Sequence, residues 1–213
     1  LGQLGGLLDT WRESCGKLGR PIDVVNLSLS YYHETPKDLQ FDTLLYGALV
    51  DLRKNGCVVV TSAGNDATER PTFPASLWPW PGADNGIPTD AFAPHVSVGA
   101  LNPGSHTTAL FSNTGPWVRT FAVGASVVST SPAFETGLRA TSHKVHEGRL
   151  REGGDPDDFR GGFAVWSGTS FAAPRVAGLI AAQLGDELLG DTASAPPIPD
   201  ALETAVKRAR DRT

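Results

Sequence analysis

In residues 35–62, TPKDLQFDTLLYGALVDLRKNGCVVVTS, a helical period gives way to a strand. Phe41, Leu44, Leu45, Ala48, Leu49 and Leu52 recur at offsets 0, 3, 4, 7, 8 and 11, the spacing of one helix face. Thr35 is the expected N-cap, and Pro36 falls at the first helical position, where a missing N–H costs little. Asp38 suits the positive helix start. Arg53 and Lys54 suit the negative end, and Gly56 stops the helix. From Cys57 to Ser62 the chain is apolar almost throughout, as in a parallel strand covered on both faces. Working outward, Asp23 to Ser28 (DVVNLS) reads as another buried strand. Strand, helix and strand make a βαβ unit, so the two strands should be parallel with a right-handed crossover. Their carboxyl ends then open on one edge of the sheet, where such folds bind ligands. Ser28-Leu29-Ser30-Tyr31 leaves one strand there, and Ser62-Ala63-Gly64-Asn65 leaves the other.

The composition fits one globular domain. The chain has 213 residues, 40% hydrophobic and 19% charged, enough to bury a sizeable core. Lys and Arg total 18 against 23 Asp and Glu, a net charge of −5, and no basic cluster points to nucleic acid. No apolar run is long enough to span a membrane. There is no methionine and no signal-peptide pattern. The chain is therefore expected to be a processed product or a piece of something longer. Two cysteines, Cys15 and Cys57, make no disulfide framework, and Cys57 reads as a buried thiol inside a strand.

A second informative stretch is Gly168-Thr169-Ser170-Phe171-Ala172-Ala173-Pro174. A glycine turn presents a serine, and a nearly unbroken apolar run continues to Leu184, the mark of a buried helix. Thr169 is the expected N-cap, and Pro174 is expected in or near the first turn. Ser170 then has backbone N–H groups around it and the positive end of a helix dipole beside it. That is a good place to hold a developing oxyanion.

The remaining segments fill in the order. Residues 1–19 carry mostly helical apolar spacing, with no strand before them. Residues 66–94 are rich in Pro, Gly, Asp and Thr and read as a long surface loop. Trp78 and Trp80 within it are read as core cover, with a binding rim as the alternative. His95 to Leu101, Val118 to Val123, Ser126 to Thr130 and Phe163 to Ser167 read as short strands, and Phe111 to Gly115 as a turn. Residues 133–162 look like an exposed, charged insertion. A polar linker begins at Ala193, and an amphipathic helix runs from about Asp200 to Arg210.

A serine hydroxyl needs a base to take its proton and donors to hold the oxyanion. Ser170 supplies the nucleophile and its own N–H. Asn65 supplies an amide donor at a strand end on the ligand edge. Taken alone, Asn65 would pass for a turn residue.

Here the chain resembles the subtilisin-like serine proteases (peptidase family S8) over about residues 20–185. Asn26-Leu27-Ser28-Leu29 is similar to the family's substrate-binding strand, and Ser62-Ala63-Gly64-Asn65 to its oxyanion-hole motif. Phe73-Pro74-Ala75 and Val96-Ser97-Val98-Gly99-Ala100 are similar to its next loop and strand. Gly168 through Gly178 is similar to its nucleophile helix. Phe111-Ser112-Asn113 and Val123-Gly124 are weaker matches. The resemblance implies a three-layer α/β/α fold with a mainly parallel sheet, incomplete at the N-terminus. It implies a serine endopeptidase acting through an acyl-enzyme on Ser170, with Asn65 as oxyanion donor. Ser28, Leu29 and Ser30 would pair with the substrate backbone, Ala63 and Gly64 would floor the pocket before the scissile bond, and Thr169 joins this substrate-binding set. Departures include Ser30 where a glycine is usual, Arg175 for a common histidine, Phe171 for a common methionine and Val123 for a common proline.

The family also needs an aspartate and a histidine before the serine. Neither motif occurs here, so both are expected upstream, and this segment is expected to be inactive alone. His33, at a strand end on the active edge, is the alternative base, without motif or order to support it. His143, His146 and Glu147 do not match a metalloprotease pattern. The implied partners are a peptide or protein substrate and the upstream part of the same domain. No cofactor is implied; calcium is common in the family, but no carboxylate cluster marks a site. The resemblance favours secretion and leaves a cytoplasmic place open. Two rivals stand beside the enzyme: a peptide-binding pseudoprotease, and a serine-carboxyl peptidase, which uses an aspartate where this chain has Asn65.

Overall fold

The structure is a computed structural model that describes residues 22–34, 39–83, 86–132, 143–152 and 161–189, with Thr204, Val206, Lys207 and Asp211. The expected helix at 1–19, the Thr35 to Asp38 helix start, Cys15, the 193–199 linker and most of 200–210 lie outside these residues. The chain divides into two compact units, Leu1–Ala125 with Gly168–Thr213, and Ser126–Ser167.

The first unit is built on four parallel strands in the order β1 (Val24–Leu27), β2 (Val58–Ser62), β3 (His95–Leu101) and β4 (Thr120–Val123). Val24 pairs with Val58, Val59 with His95, and Val98 with Thr120. Helix α1 (Leu39–Lys54) links β1 to β2. Helix α2 (Thr169–Leu189) packs against all four strands.

Alternation from Cys57 into β2 shows why four successive residues, Cys57 to Val60, are apolar. Val58 and Val60 join Val96, Val98, Ala100 and Ala122 in a core completed by Ala172, Ala173, Val176 and Ile180 of α2. Cys57 and Val59 face the other way, into a cluster with Leu45, Leu49 and Leu52 of α1 and with Leu77. Both faces of the sheet are therefore covered, which is the α/β/α layering that the sequence implies. Burying one such Val or Leu contributes about 1.5–3 kcal/mol.

Three devices bring these layers close. Gly124 follows β4, and a Cβ there would lie 2.8 Å from the Gly168 carbonyl and 3.0 Å from the Ala172 methyl. Only a bare backbone lets the start of α2 settle there, and Gly168 N–H donates to Gly124 O at 2.8 Å. Arg53, at the end of α1, meets Asp90 through two nitrogens at 3.1 and 2.6 Å and donates Nε to Ala93 O. The third device is Trp78, which is buried and donates its indole N–H to Trp117 O.

That burial corrects the expectation of a surface loop over 66–94. Thr72, Pro74, Ala75, Ser76, Leu77 and Trp78 are all buried. Their polar groups are satisfied locally: Thr72 Oγ1 donates to Ala63 O at 2.7 Å and Ser76 Oγ to Thr72 O at 2.7 Å. Near the C-terminus the described residues are helical, and Val206 enters the core on the α2 face.

The second unit holds two antiparallel pairs. Strand β5 (Val127–Thr130) pairs with β8 (Phe163–Trp166), and β6 (His143–His146) pairs with β7 (Arg149–Glu152) across a turn at Glu147 and Gly148. The hairpin lies inside the stretch read as an exposed insertion. The unit itself begins at Ser126, before that stretch, and closes at Ser167.

Candidate active site

The carboxyl ends of β1 and β2 and the first turn of α2 carry the residues of interest. Helix α2 begins at Thr169, so Gly168 holds the capping position expected of Thr169. Asn65, more than a hundred residues earlier, supplies the cap. Its Oδ1 accepts from Thr169 N at 2.8 Å and from Thr169 Oγ1 at 3.0 Å. The same Thr169 hydroxyl accepts from Gly64 N at 3.0 Å. Thr169 thus ties the end of β2 to the helix that carries Ser170. It is fully buried, with its hydroxyl occupied, so it offers no polar face to a substrate and serves as a clasp.

With Oδ1 held, the amide nitrogen of Asn65 lies beside Gly168, 3.4 Å from where a Cβ on that glycine would stand. Asn65 is exposed, and among the described residues this NH2 donates to nothing. Ser170 is half-buried, and among the described residues its Oγ makes no hydrogen bond.

Pro174 lies in the second turn of α2, later than expected. A residue there would normally donate to the carbonyl four residues back. Proline cannot, so the Ser170 carbonyl is released, and Ser28 Oγ donates to it at 3.0 Å. Ser28 in turn accepts from Asn26 Nδ2 at 3.0 Å. The helix defect therefore docks the end of β1 onto the turn that carries Ser170.

Leu29 and Ser30 continue past β1, exposed and, among the described residues, outside any ladder. Ala63 and Gly64 are buried beneath their neighbours. Ala63 O accepts from both Thr72 Oγ1 and Asn113 Nδ2. Gly64 has φ of 102°, and a Cβ there would sit 2.5 Å from Asn113 Nδ2. Only glycine fits that position.

Asn113 and Tyr32 were not singled out for any role by sequence reasoning. Asn113 Oδ1 accepts from Asp66 N at 2.9 Å and Thr68 N at 3.2 Å, while Nδ2 donates to Tyr32 Oη at 2.9 Å and Ala63 O at 3.0 Å. Tyr32 Oη donates to Asp66 Oδ2 at 2.6 Å. Burial, and then the bond to Asp66, raise the Tyr32 phenol above its usual value. The sequence signal was the Phe111-Ser112-Asn113 match, which marked the place without its partners.

Two of the histidines are engaged elsewhere. His33 stacks on Phe73 with ring centroids 3.7 Å apart. His95 lies at the amino end of β3, the opposite end of the sheet from Asn65, and is almost wholly buried. Burial lowers its pKa to about 3 and keeps it neutral. His106 is exposed. Among the described residues none hydrogen-bonds Ser170. No group of three or more His, Cys, Asp or Glu side chains gathers among them in a way that could hold a metal ion.

The end of β2, the residues after β1 and the start of α2 thus bring Asn65, Ser28 and Ser170 together at one edge of the sheet. The profile of the subtilase family (peptidase S8) matches residues 10–195. The chain belongs to the subtilase family. Among solved structures it is similar to a lanthipeptide protease, with 18% identity and a TM-score of 0.61 over 89% of this chain and 55% of that one. It is also similar to the prenylagaramide maturation protease PagA, with 21% identity and a TM-score of 0.56 over 92% of this chain and 55% of that one. A cold adapted subtilisin-like serine proteinase matches at 23% identity and a TM-score of 0.50, over 85% of this chain and 45% of that one. At these identities the likeness establishes the subtilisin-like fold. The chain spans about half the length of these solved relatives. Among curated proteins no sequence matches it. Among the described residues no helix is long and apolar enough to cross a membrane.

Proposed function

We propose that this chain carries the nucleophile and oxyanion half of a serine endopeptidase site. Ser170 attacks the scissile carbonyl, and the Asn65 amide with the Ser170 N–H receives the oxyanion that forms. The observation that carries this reading is the Thr169 clasp, which fixes the Asn65 side-chain carbonyl on the residue before Ser170 and leaves the amide NH2 beside Gly168. The substrate is a peptide or protein whose backbone adds to the exposed Leu29 and Ser30 edge as a strand. Ser28 shapes that edge from within, through its bond to the Ser170 carbonyl.

The base and its aspartate come, in this reading, from a preceding part of the same catalytic domain. The family order Asp, His, Ser supports it, as does the absence of a histidine bonded to Ser170 among the described residues. Alone, the chain is inactive. The test is peptide hydrolysis by the chain alone and by the chain joined to its preceding segment. We expect none from the first, and from the second an activity abolished by Ser170→Ala. Asn65→Leu should lower turnover by ~10²–10³, a magnitude carried over from subtilisin itself. Hydrolysis by the isolated chain that Ser170→Ala abolishes would overturn the division. A joined protein that binds peptides without cutting them would make it a pseudoprotease.

A further inference from the structure

We propose that Asn113 is the positioning residue of Asn65. The inference rests on the reading of Asn65 as oxyanion donor, and goes beyond it by naming what holds that donor in place.

Asn65 is exposed at the tip of the segment after β2, where a residue would ordinarily move with its loop. Its two flanking residues are both held by Asn113. The Asn113 backbone N–H donates to Gly64 O at 3.0 Å, and its side-chain oxygen accepts the Asp66 N–H at 2.9 Å. The bracket extends in both directions, to Ala63 O and to Thr68 N. An amide side chain has two N–H donors and two acceptor lone pairs. Asn113 places all four, and it is fully buried while doing so. Water cannot take the place of Asn113 in these bonds without entering the space that its buried amide fills. Asn65 is therefore fixed twice, its backbone by Asn113 and its side-chain oxygen by Thr169. Of the Asn65 side chain, only the amide NH2 is left without a partner among the described residues.

The hub also reaches the substrate side. Tyr32, two residues beyond Ser30, receives the second Nδ2 bond and passes a bond of its own to Asp66. Arg70 lies over the Tyr32 ring at 4.9 Å and donates to His33 O. Residues 32–33 and the loop carrying Asn65 thus share one polar network, with Asn113 at its centre.

The test uses the full chain labelled with 15N, and it does not depend on activity. Backbone amide exchange is followed at Asp66 and Thr68, with Val59 and Val98 as core references, together with the side-chain NH2 signals of Asn65. Asn113→Ala should speed exchange at Asp66 and Thr68 about 10- to 100-fold, the effect of losing a buried hydrogen bond. The references should keep their protection, and the two Asn65 NH2 signals should converge as the amide gains motion. Tyr32→Phe keeps the ring and removes one bond of the network. It should give a smaller effect of the same kind, and it decides the matter if Asn113→Ala does not fold. Unchanged exchange at Asp66 and Thr68 overturns the proposal. So does a rise shared equally by Val59 and Val98, which would make Asn113 a residue of general stability. If peptide hydrolysis by the joined protein fails while the Asn65 signals respond as expected, the protease reading falls and the positioning role stands.

Discussion

Thr169 donates to one partner and accepts from another through a single oxygen. Replacing Thr169 by Val keeps the shape and removes both bonds, leaving the buried Gly64 N–H unsatisfied. We expect a loss of about 1–3 kcal/mol in urea unfolding, with Thr169→Ser recovering most of it. His95 sets a pH dependence of the opposite character, because it resists charge. Its folded pKa, about 3, lies below the ordinary value of 6.5. Between those values the unfolded chain binds the extra proton, so stability falls as the pH drops through that window. The slope from this group is at most about 1.4 kcal/mol per pH unit. Unfolding midpoints at pH 7 and pH 5 should therefore separate more in the parent chain than in His95→Gln. Cys57 makes a third case. Burial pushes its thiol up to about 12, and it has no exposed surface. Alkylation at position 57, read by mass spectrometry, should occur only after unfolding.

At the scale of elements, the buried Arg53–Asp90 pair fastens the end of α1 to the segment leading into β3. Removing one partner strands the other charge, so Asp90→Ala should cost about 3–5 kcal/mol by denaturant titration. Gly124→Ala would drive a methyl against the Gly168 carbonyl. It should lower the melting temperature and loosen the start of α2, visible as faster exchange at the Gly168 N–H. The elements themselves were legible because local chemistry writes them. The period of Phe41 to Leu52 and the apolar run of Cys57 to Ser62 needed no tertiary knowledge. The places of Ser170 and Asn65 were legible for a related reason, since one sits at the start of a readable helix and the other at the end of a readable strand, and the bonds between Asn65 and Thr169 join those two places. Asn113 was not, because its bonds join residues decades apart in the chain and no short pattern records them. The buried run Thr72 to Trp78 was misread on composition. Its Thr and Ser hydroxyls and its indole N–H find partners inside, which polar residues in a surface loop do not need.

At the scale of the molecule, the candidate site belongs to no single segment. Residues near 28, 65, 113 and 170 converge on one end of the parallel sheet. The clasp bonds join residues 104 and 105 positions apart, and the Ser28 bond to the Ser170 carbonyl spans 142. Contacts this distant in sequence close late, after local helices and neighbouring strands have formed. Pulse-labelled refolding should therefore protect the Val59 and Val98 amides before the Thr169 amide. A growing chain reaches Thr169 only after β1 to β4 have been made. The bonds that tie Asn65 to the start of α2 can thus form only once the whole sheet has been made, so a chain stopped before Thr169 would present Asn65 without its clasp.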